Sequence, residues 1–404
     1  MMQVASAIAS RSEPAPTVAT DFSLVLGGPL YQLLLRARLA RPPLELLHRR
    51  MLLIPLFAWL PLLVLTLLEG TAFGGVTVPF LQDVEAYSRF LVAIPILLAA
   101  ELVVHQRLHP LIGEFRERDI VGVASHERLE GAVASAMRLR NSIPAEVALL
   151  AFVFLVAPVL WMRSLALPTD TWYARIVDGR SELTWAGTWF LYVGAPVFQF
   201  LLLRWYFRLG IWWRFLWQVS RLPLDLKALH PDRAGGLGFL GISLYAFTPV
   251  LVAQSVVVSG IVFNRVFAGA ASAMDFRGEI GLMVALLVAL VVAPLLFFSP
   301  DLVEARRIAM VRFGVLATDY AREFEHRWLR GTRPTDEPLL GSADIQSLND
   351  LAGSHDVVSE MRPFPFNFRT LLRVVLVTAA PFLPLVLTVI PFGELVQRVA
   401  GMLL

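Results

Sequence analysis

Stretches of about 20 mostly apolar residues recur along the chain, the length a helix needs to cross a bilayer. They run Met51–Leu68, Tyr87–His105, Ile143–Met162, Gly187–Phe207, Ile242–Phe263, Gly281–Phe298 and Leu371–Ile390. A helix is the only open-ended element that satisfies all its own backbone groups in hydrocarbon. The pattern therefore predicts an all-α fold: a polytopic transmembrane bundle of about seven spans, with amphipathic interfacial and cytoplasmic helices attached. Connectors after the first, third and fifth spans are short, whereas those after the second, fourth and sixth are longer and rich in arginine.

That alternation sets the orientation. The stretches 1–50, 107–142, 204–241 and 299–373 hold 28 of the 35 lysines and arginines. Positive charge is retained inside, so the N-terminus is expected in the cytoplasm and, after an odd number of spans, the C-terminus outside. The chain then divides into a cytoplasmic tail and interfacial helix (1–50), a six-span region (51–298) with cytoplasmic connectors 107–142 and 204–241, a cytoplasmic helical segment (299–370), and a last span with its C-terminal segment (371–404). Residues 1–20 lack the charged start and apolar core of a signal peptide, so the first span directs insertion. Phe22–Leu39 interleaves apolar and basic positions and is expected to lie in the interface. Pro391–Leu404 extends the last span or lies in the interface.

Composition agrees with the class. The 404 residues are 57 % hydrophobic and 17 % charged, with a mean hydropathy of +0.65, against about 25 % charged in an ordinary soluble domain. A net charge of +3 is too small to argue for a nucleic-acid partner. The absence of cysteine excludes disulfides, thiolate metal sites and cysteine nucleophiles. No histidines have zinc spacing, and the acidic residues Asp344, Asp350, Asp356 and Glu360 lack calcium-loop spacing. No metal, cofactor or catalytic set is expected.

Ionisable groups at membrane depth are the default pointer to function. Glu101 and His105 fall four residues apart on one face of the second span, where a carboxylate beside an imidazole has the chemistry of a proton relay. On the fifth span Thr248, Ser255 and Ser259 share a face, with Gln254 and Asn264 nearby and Pro249 to bend the helix, the composition of a conduction path. Each feature has a plainer reading: a polar pair at the inner helix end, and hydroxyls that serve helix packing beside Gly260.

Between the fourth and fifth spans, RWYFRLGIWWRFLWQVSRL from Arg204 mixes tryptophan and arginine as a headgroup-level helix does. It leads into HPDRAGGLGFLG, in which His230, Pro231, Asp232 and Arg233 run into Gly235, Gly236, Gly238 and Gly241. Unhindered amides there suit an anion or headgroup nest, with Arg233 supplying charge and Gly235 and Gly236 the close approach; the plainer reading is a packing turn. The stretch is neither a Walker loop nor a Rossmann fingerprint. Further on, Ser299 as N-cap and Pro300 start a long amphipathic helix that ends at Gly331, and Ser342–Met361 reads as two short helices around Gly353.

HPDRAGGLGFLG and DEPLLGSADIQSLNDL (Asp336–Leu351) resemble stretches of a family of bacterial multi-pass membrane proteins with no assigned activity. The likeness covers most of the chain; it implies a bacterial inner membrane and carries no residue role. The favoured function is an oligomeric channel or transporter for an ion or small solute. The alternative is a non-transporting scaffold or sensor acting through the cytoplasmic helices. A membrane-embedded enzyme using the His230–Asp232 loop ranks last, because adjacent residues on one loop do not make a converging catalytic set. Expected partners are the lipid bilayer, further copies of the chain and a cytoplasmic protein.

Overall fold

The structure, a computed structural model, describes residues 22–38, 45–159, 170–177, 180–267, 272–330 and 343–387. The expectations for the N-terminal tail, for the helix end at Gly331 and for Pro391–Leu404 lie outside these residues. In chain order the helices are α1 (Pro29–Arg36), α2 (Leu47–Leu68), α3 (Val84–Glu117), α4 (Val123–Arg140), α5 (Ile143–Val159), α6 (Trp185–Ser220), α7 (Leu237–Phe267), α8 (Ala273–Leu329), α9 (Ala343–Ser359) and α10 (Phe368–Leu385). Among the described residues the only sheet is a hairpin of β1 (Ala174–Val177) and β2 (Arg180–Leu183). The molecule is an all-α bundle. Helices α2, α3, α6, α7, α8 and α10 are each long and apolar enough to cross a membrane. Helices α4 and α5 meet that test only as a pair, bent by 41° at their junction, which brings the count to seven. These helices are consistent with an integral, multi-pass membrane protein.

Helix α7 is the axis of the bundle. Ser243, Leu244, Phe247, Val250, Leu251, Ser255 and Gly260 along it are buried. Gly260 is required where α7 crosses the start of α3: a Cβ there would meet Ser88 Oγ at 2.6 Å and Glu85 Cα at 3.1 Å. On the other side α10 lies along α7, and Ser259 donates to the Pro381 carbonyl at 2.7 Å. At the end away from the arginine-rich connectors, Asp83 accepts from Asn264 at 2.7 Å and from the Trp172 indole at 2.8 Å. That joins the head of α3, the foot of α7 and the hairpin region. The opposite face of α2 leaves Leu52, Leu53, Phe57, Leu60 and Val64 exposed, an arrangement suited to contact with lipid.

Three prolines of the spans share one arrangement, whereas Pro55, Pro61 and Pro249 lie inside α-helices without it. Pro95, Pro158 and Pro196 each sit two residues beyond a π-helical turn, at Ser88–Ala93, Phe152–Val156 and Phe190–Gly194. Proline removes one amide and crowds the carbonyl four residues back; a wider turn just before it relieves that crowding without breaking the helix.

Several local expectations are corrected. The interfacial segment is helical only over Pro29–Arg36, and Phe22, Leu24 and Val25 before it are buried, Phe22 5.4 Å from the Phe215 ring. An α-helix does start at Ser299, with Pro300 in its first turn, but Ser299 makes no side-chain cap and the helix continues directly from a 3-10 stretch at Ala293–Phe298 that contains Pro294. A sixth span and the polar rod after it are thus one element, about 85 Å long at 1.5 Å per residue. Ser342–Met361 holds one helix, α9, that passes through Gly353 and packs against α8, with Tyr320 and Trp328 donating to Asp344. Finally, Arg204 and Arg208 are not at headgroup level with their guanidinium groups in water. They are 4 % and 3 % exposed and turn into the bundle.

Candidate functional site

Those two arginines belong to a buried charged cluster at the arginine-rich end of the bundle. Glu101, one turn before His105 on α3, is 4 % exposed. Its Oε2 accepts from Arg50 Nη1 at 2.8 Å, and its Oε1 lies 3.3 Å from both terminal nitrogens of Arg208 and 3.6 Å from Arg204 Nη1. Arg204 also reaches across to Glu146 through Nε at 3.1 Å. Arg204 and Arg208, four apart on α6, share the face that meets α3 and α5. Arg208 further lies over the Trp205 ring, 4.7 Å from its centroid, and the Trp205 indole donates to the Leu97 carbonyl at 2.9 Å, which fixes the stack.

The segment before α1 closes the cluster. Its Gly28 amide donates to Asn141 Oδ1 at 3.0 Å and the Leu30 amide to Glu146 Oε2 at 2.7 Å. Gly27 and Gly28 have φ of +143° and +90°, and a Cβ on Gly27 would overlap the Arg140 guanidinium at 2.5 Å. Only glycine combines that backbone with that approach. Arg140 donates to the Ser23 carbonyl at 2.5 Å and to Asn141 Oδ1 at 3.1 Å, partners that carry no charge. On its outer side the turn borders a cavity of about 570 Å³ lined by Gly27, Gly28, Gln32, Arg36, Arg140 and Asn141 among others. Tyr31 also lines it and lies within electrostatic reach of Arg50 and Glu101.

The balance of charge is the informative part. Three buried arginines, Arg50, Arg204 and Arg208, meet two carboxylates, Glu101 and Glu146, and the partly buried Arg140 stands beside them with neutral partners. Arg50 is 0 % exposed, and its Nε and Nη2 have no hydrogen-bond partner among the described residues. A buried donor without an acceptor costs about 1–3 kcal/mol, and more when charged. Guanidinium donors left over in this way have the chemistry to bind an anion.

The residues singled out by sequence fare differently. Glu101 and His105 do not pair: Glu101 is held by arginines, while His105 Nδ1 is 3.0 Å from Ser23 Oγ and its ring meets His109 edge-on at 5.4 Å. A proton relay between them is not the arrangement seen. Thr248 donates to the Leu244 carbonyl in its own helix at 2.8 Å and Ser259 to Pro381; Ser255 Oγ and Gln254 Oε1 are buried with no partner among the described residues. None of these side chains, nor Glu101 or His105, lines the four cavities identified.

The glycine loop is a nest, but its own carboxylate fills it. Asp232 Oδ1 accepts from the amides of Ala234 (2.8 Å) and Gly236 (3.2 Å), and Oδ2 from Gly238 (2.8 Å). Burial works against the Asp232 charge, yet the three amides and His230 outweigh it and hold the pKa below 3.8. His230 Nδ1 lies 2.9 Å from the same carboxylate, and Arg233, at φ +54°, pairs with Glu360. Gly235 carries φ +64° and packs against Met361, Leu226 and Leu302, and Gly236 against Ile120. The loop therefore joins the three arginine-rich connectors: the Asp225 amide donates to the Ile120 carbonyl, Phe115 meets Phe239 edge-on, and the Arg362 amide donates to the Arg233 carbonyl.

The arginine cluster is not legible in the sequence, because each of its arginines is bonded to a carboxylate 51 to 107 positions away. The spacing of Arg204 and Arg208 on a face without other charges was the available signal. In class, then, this is a multi-pass helical bundle with an arginine-rich polar core at one end. Compared with protein-family profiles, curated proteins and solved structures, the chain matches none of them.

Proposed function

We propose that the chain is an integral membrane protein of the transport class, a channel or transporter whose cargo is an anion taken from the cytoplasmic side at the Arg50–Glu101–Arg204–Arg208 cluster. The observation that carries this reading is the surplus of buried guanidinium groups, with Arg50 Nε and Nη2 unpartnered. The cavity beside Arg36 and Arg140 supplies an approach. The distribution of arginine supports an inward N-terminus in a bacterial inner membrane, and the exposed apolar face of α2 suits contact with its lipid. The hydroxyls of α7 serve packing in this reading.

The test is flux through the purified protein in liposomes, with inward gradients of chloride, phosphate or acetate at matched ionic strength. Anion flux that falls at least about tenfold in Arg50→Gln is expected, the loss of one charged contact. Folded protein that passes no anion, or passes cations alone, would remove the reading.

A second reading, a scaffold, is favoured by one observation. The cytoplasmic half of α8 exposes Ile308, Val311 and Val315 at helical spacing, with Leu316 beside them. Under it, deletion of 343–361 abolishes a cytoplasmic partner's capture while anion flux persists; retention of every partner would count against it.

A further inference from the structure

A separate groove runs along the outside of the bundle where α6 leaves the membrane. It encloses about 560 Å³, is mostly apolar, and is walled by Tyr206, Leu209, Trp213 and Trp217 of α6 and by Leu290 and Phe297 of α8. That volume lies within the range of about 300–1,000 Å³ typical of small-molecule sites. Its floor is deep because Gly210 presents no side chain: a Cβ there would have no neighbour within 4 Å. Its wall is fixed, since the Trp213 indole donates to the Leu290 carbonyl at 2.9 Å and meets the Phe297 ring edge-on at 6.2 Å.

Charge stands at one end of this apolar slot. Arg214 lines it, is exposed, and has no carboxylate paired with it among the described residues. Arg221 lies over the exposed Trp217 ring at 5.7 Å, within electrostatic reach of Asp301. Apolar walls above, tryptophan rings at the edge and a free guanidinium below are the order of groups in a phospholipid leaflet read from acyl chain to phosphate.

We propose that this groove binds one anionic phospholipid of the inner leaflet. An acyl chain lies over Gly210 between Leu209, Tyr206 and Leu290, and the phosphate is held by Arg214 with Arg221 in support. A zwitterionic lipid fits the same slot but gains less from the arginines, because its phosphate charge is offset by its own amine. The site is distinct from the buried cluster, which faces the interior of the bundle, and the proposal stands whether or not that cluster carries an anion.

The experiment is native mass spectrometry of the full chain in uncharged detergent, titrated with phosphatidylglycerol or with phosphatidylcholine of the same acyl chains. Three proteins are compared: wild type, Gly210→Leu, which fills the slot with a good helix former on an exposed face, and Arg214→Gln. Wild type is expected to hold one phosphatidylglycerol about tenfold more tightly than phosphatidylcholine, the effect of two surface arginines. Arg214→Gln should erase most of that preference, and Gly210→Leu should weaken both lipids. Thermal midpoints near wild type identify variants that fold, and Gly210→Ala replaces the leucine variant if it does not. Equal affinity of wild type for the two lipids, or tight phosphatidylglycerol binding that survives both substitutions, overturns the proposal.

Discussion

Arg50 donates to Glu101 across 2.8 Å in a place where Arg50 has no exposure and Glu101 has 4 %. The two groups come from the head of α2 and the middle of α3, and the same carboxylate also faces Arg204 and Arg208. Glu101 is therefore the counter-charge on which the cluster depends. Replacing it by Gln leaves three buried guanidinium groups without that neighbour, and breaking a buried pair from one side costs about 3–5 kcal/mol. Glu101→Gln is expected to melt well below wild type in detergent. Added phosphate should stabilise the variant by about 1.4 kcal/mol at ten times the variant's dissociation constant, more than the same concentration stabilises wild type. Thermal unfolding with and without phosphate checks both parts.

Asp232 makes a pH prediction. Its pKa lies below 3.8 in the folded chain, so its contribution is fully present above the unfolded-state value and is lost as pH falls through the folded one. Asp232→Asn should lower stability at pH 7 by about 2–4 kcal/mol, having exchanged a charged acceptor of three amides for a neutral one. The difference from wild type should shrink below about pH 4, near the ordinary carboxylate range. Unfolding midpoints of both proteins between pH 3 and pH 7 read this directly.

Gly260 and Gly314 separate packing from propensity. Gly260→Ala drives a methyl into Ser88 and Glu85 at the α7–α3 crossing and should destabilise by about 1–3 kcal/mol. Gly314→Ala, in the polar part of α8 with nothing near its Cβ position, should stabilise by up to about 1 kcal/mol. Denaturation of the two variants in parallel gives opposite signs if the crossing is as close as described.

The hydroxyls of α7 yield a negative prediction for transport. The triple replacement of Thr248, Ser255 and Ser259 by alanine should leave anion flux per folded molecule within about twofold of wild type while removing about 1 kcal/mol of stability, chiefly the Ser259–Pro381 bond. A large change in flux with normal folding would put those residues back on the path.

The helices were legible because apolar runs of span length have few other solutions. The prolines of the spans were visible too, although the π-turns that absorb Pro95, Pro158 and Pro196 were not. Local signals misled where tertiary structure fills a local vacancy. Ser299 and Pro300 look like a helix start, but the 3-10 stretch before them carries the chain through. The glycine loop looks like an open nest, but Asp232, two to six residues before the amides, already occupies it. Arg204 and Arg208 look interfacial because tryptophans surround them; their carboxylates, Glu101 and Glu146, lie on other helices where sequence gives no register between elements.

The central claim is that the buried arginine cluster takes an anion, and calorimetric titration of the purified chain with inorganic phosphate at fixed ionic strength tests it most directly. Saturable binding to wild type is expected, weakened at least about tenfold in Arg50→Gln and in Arg140→Gln. Folded wild type that binds neither phosphate nor chloride, or binding that survives both substitutions, would contradict the account.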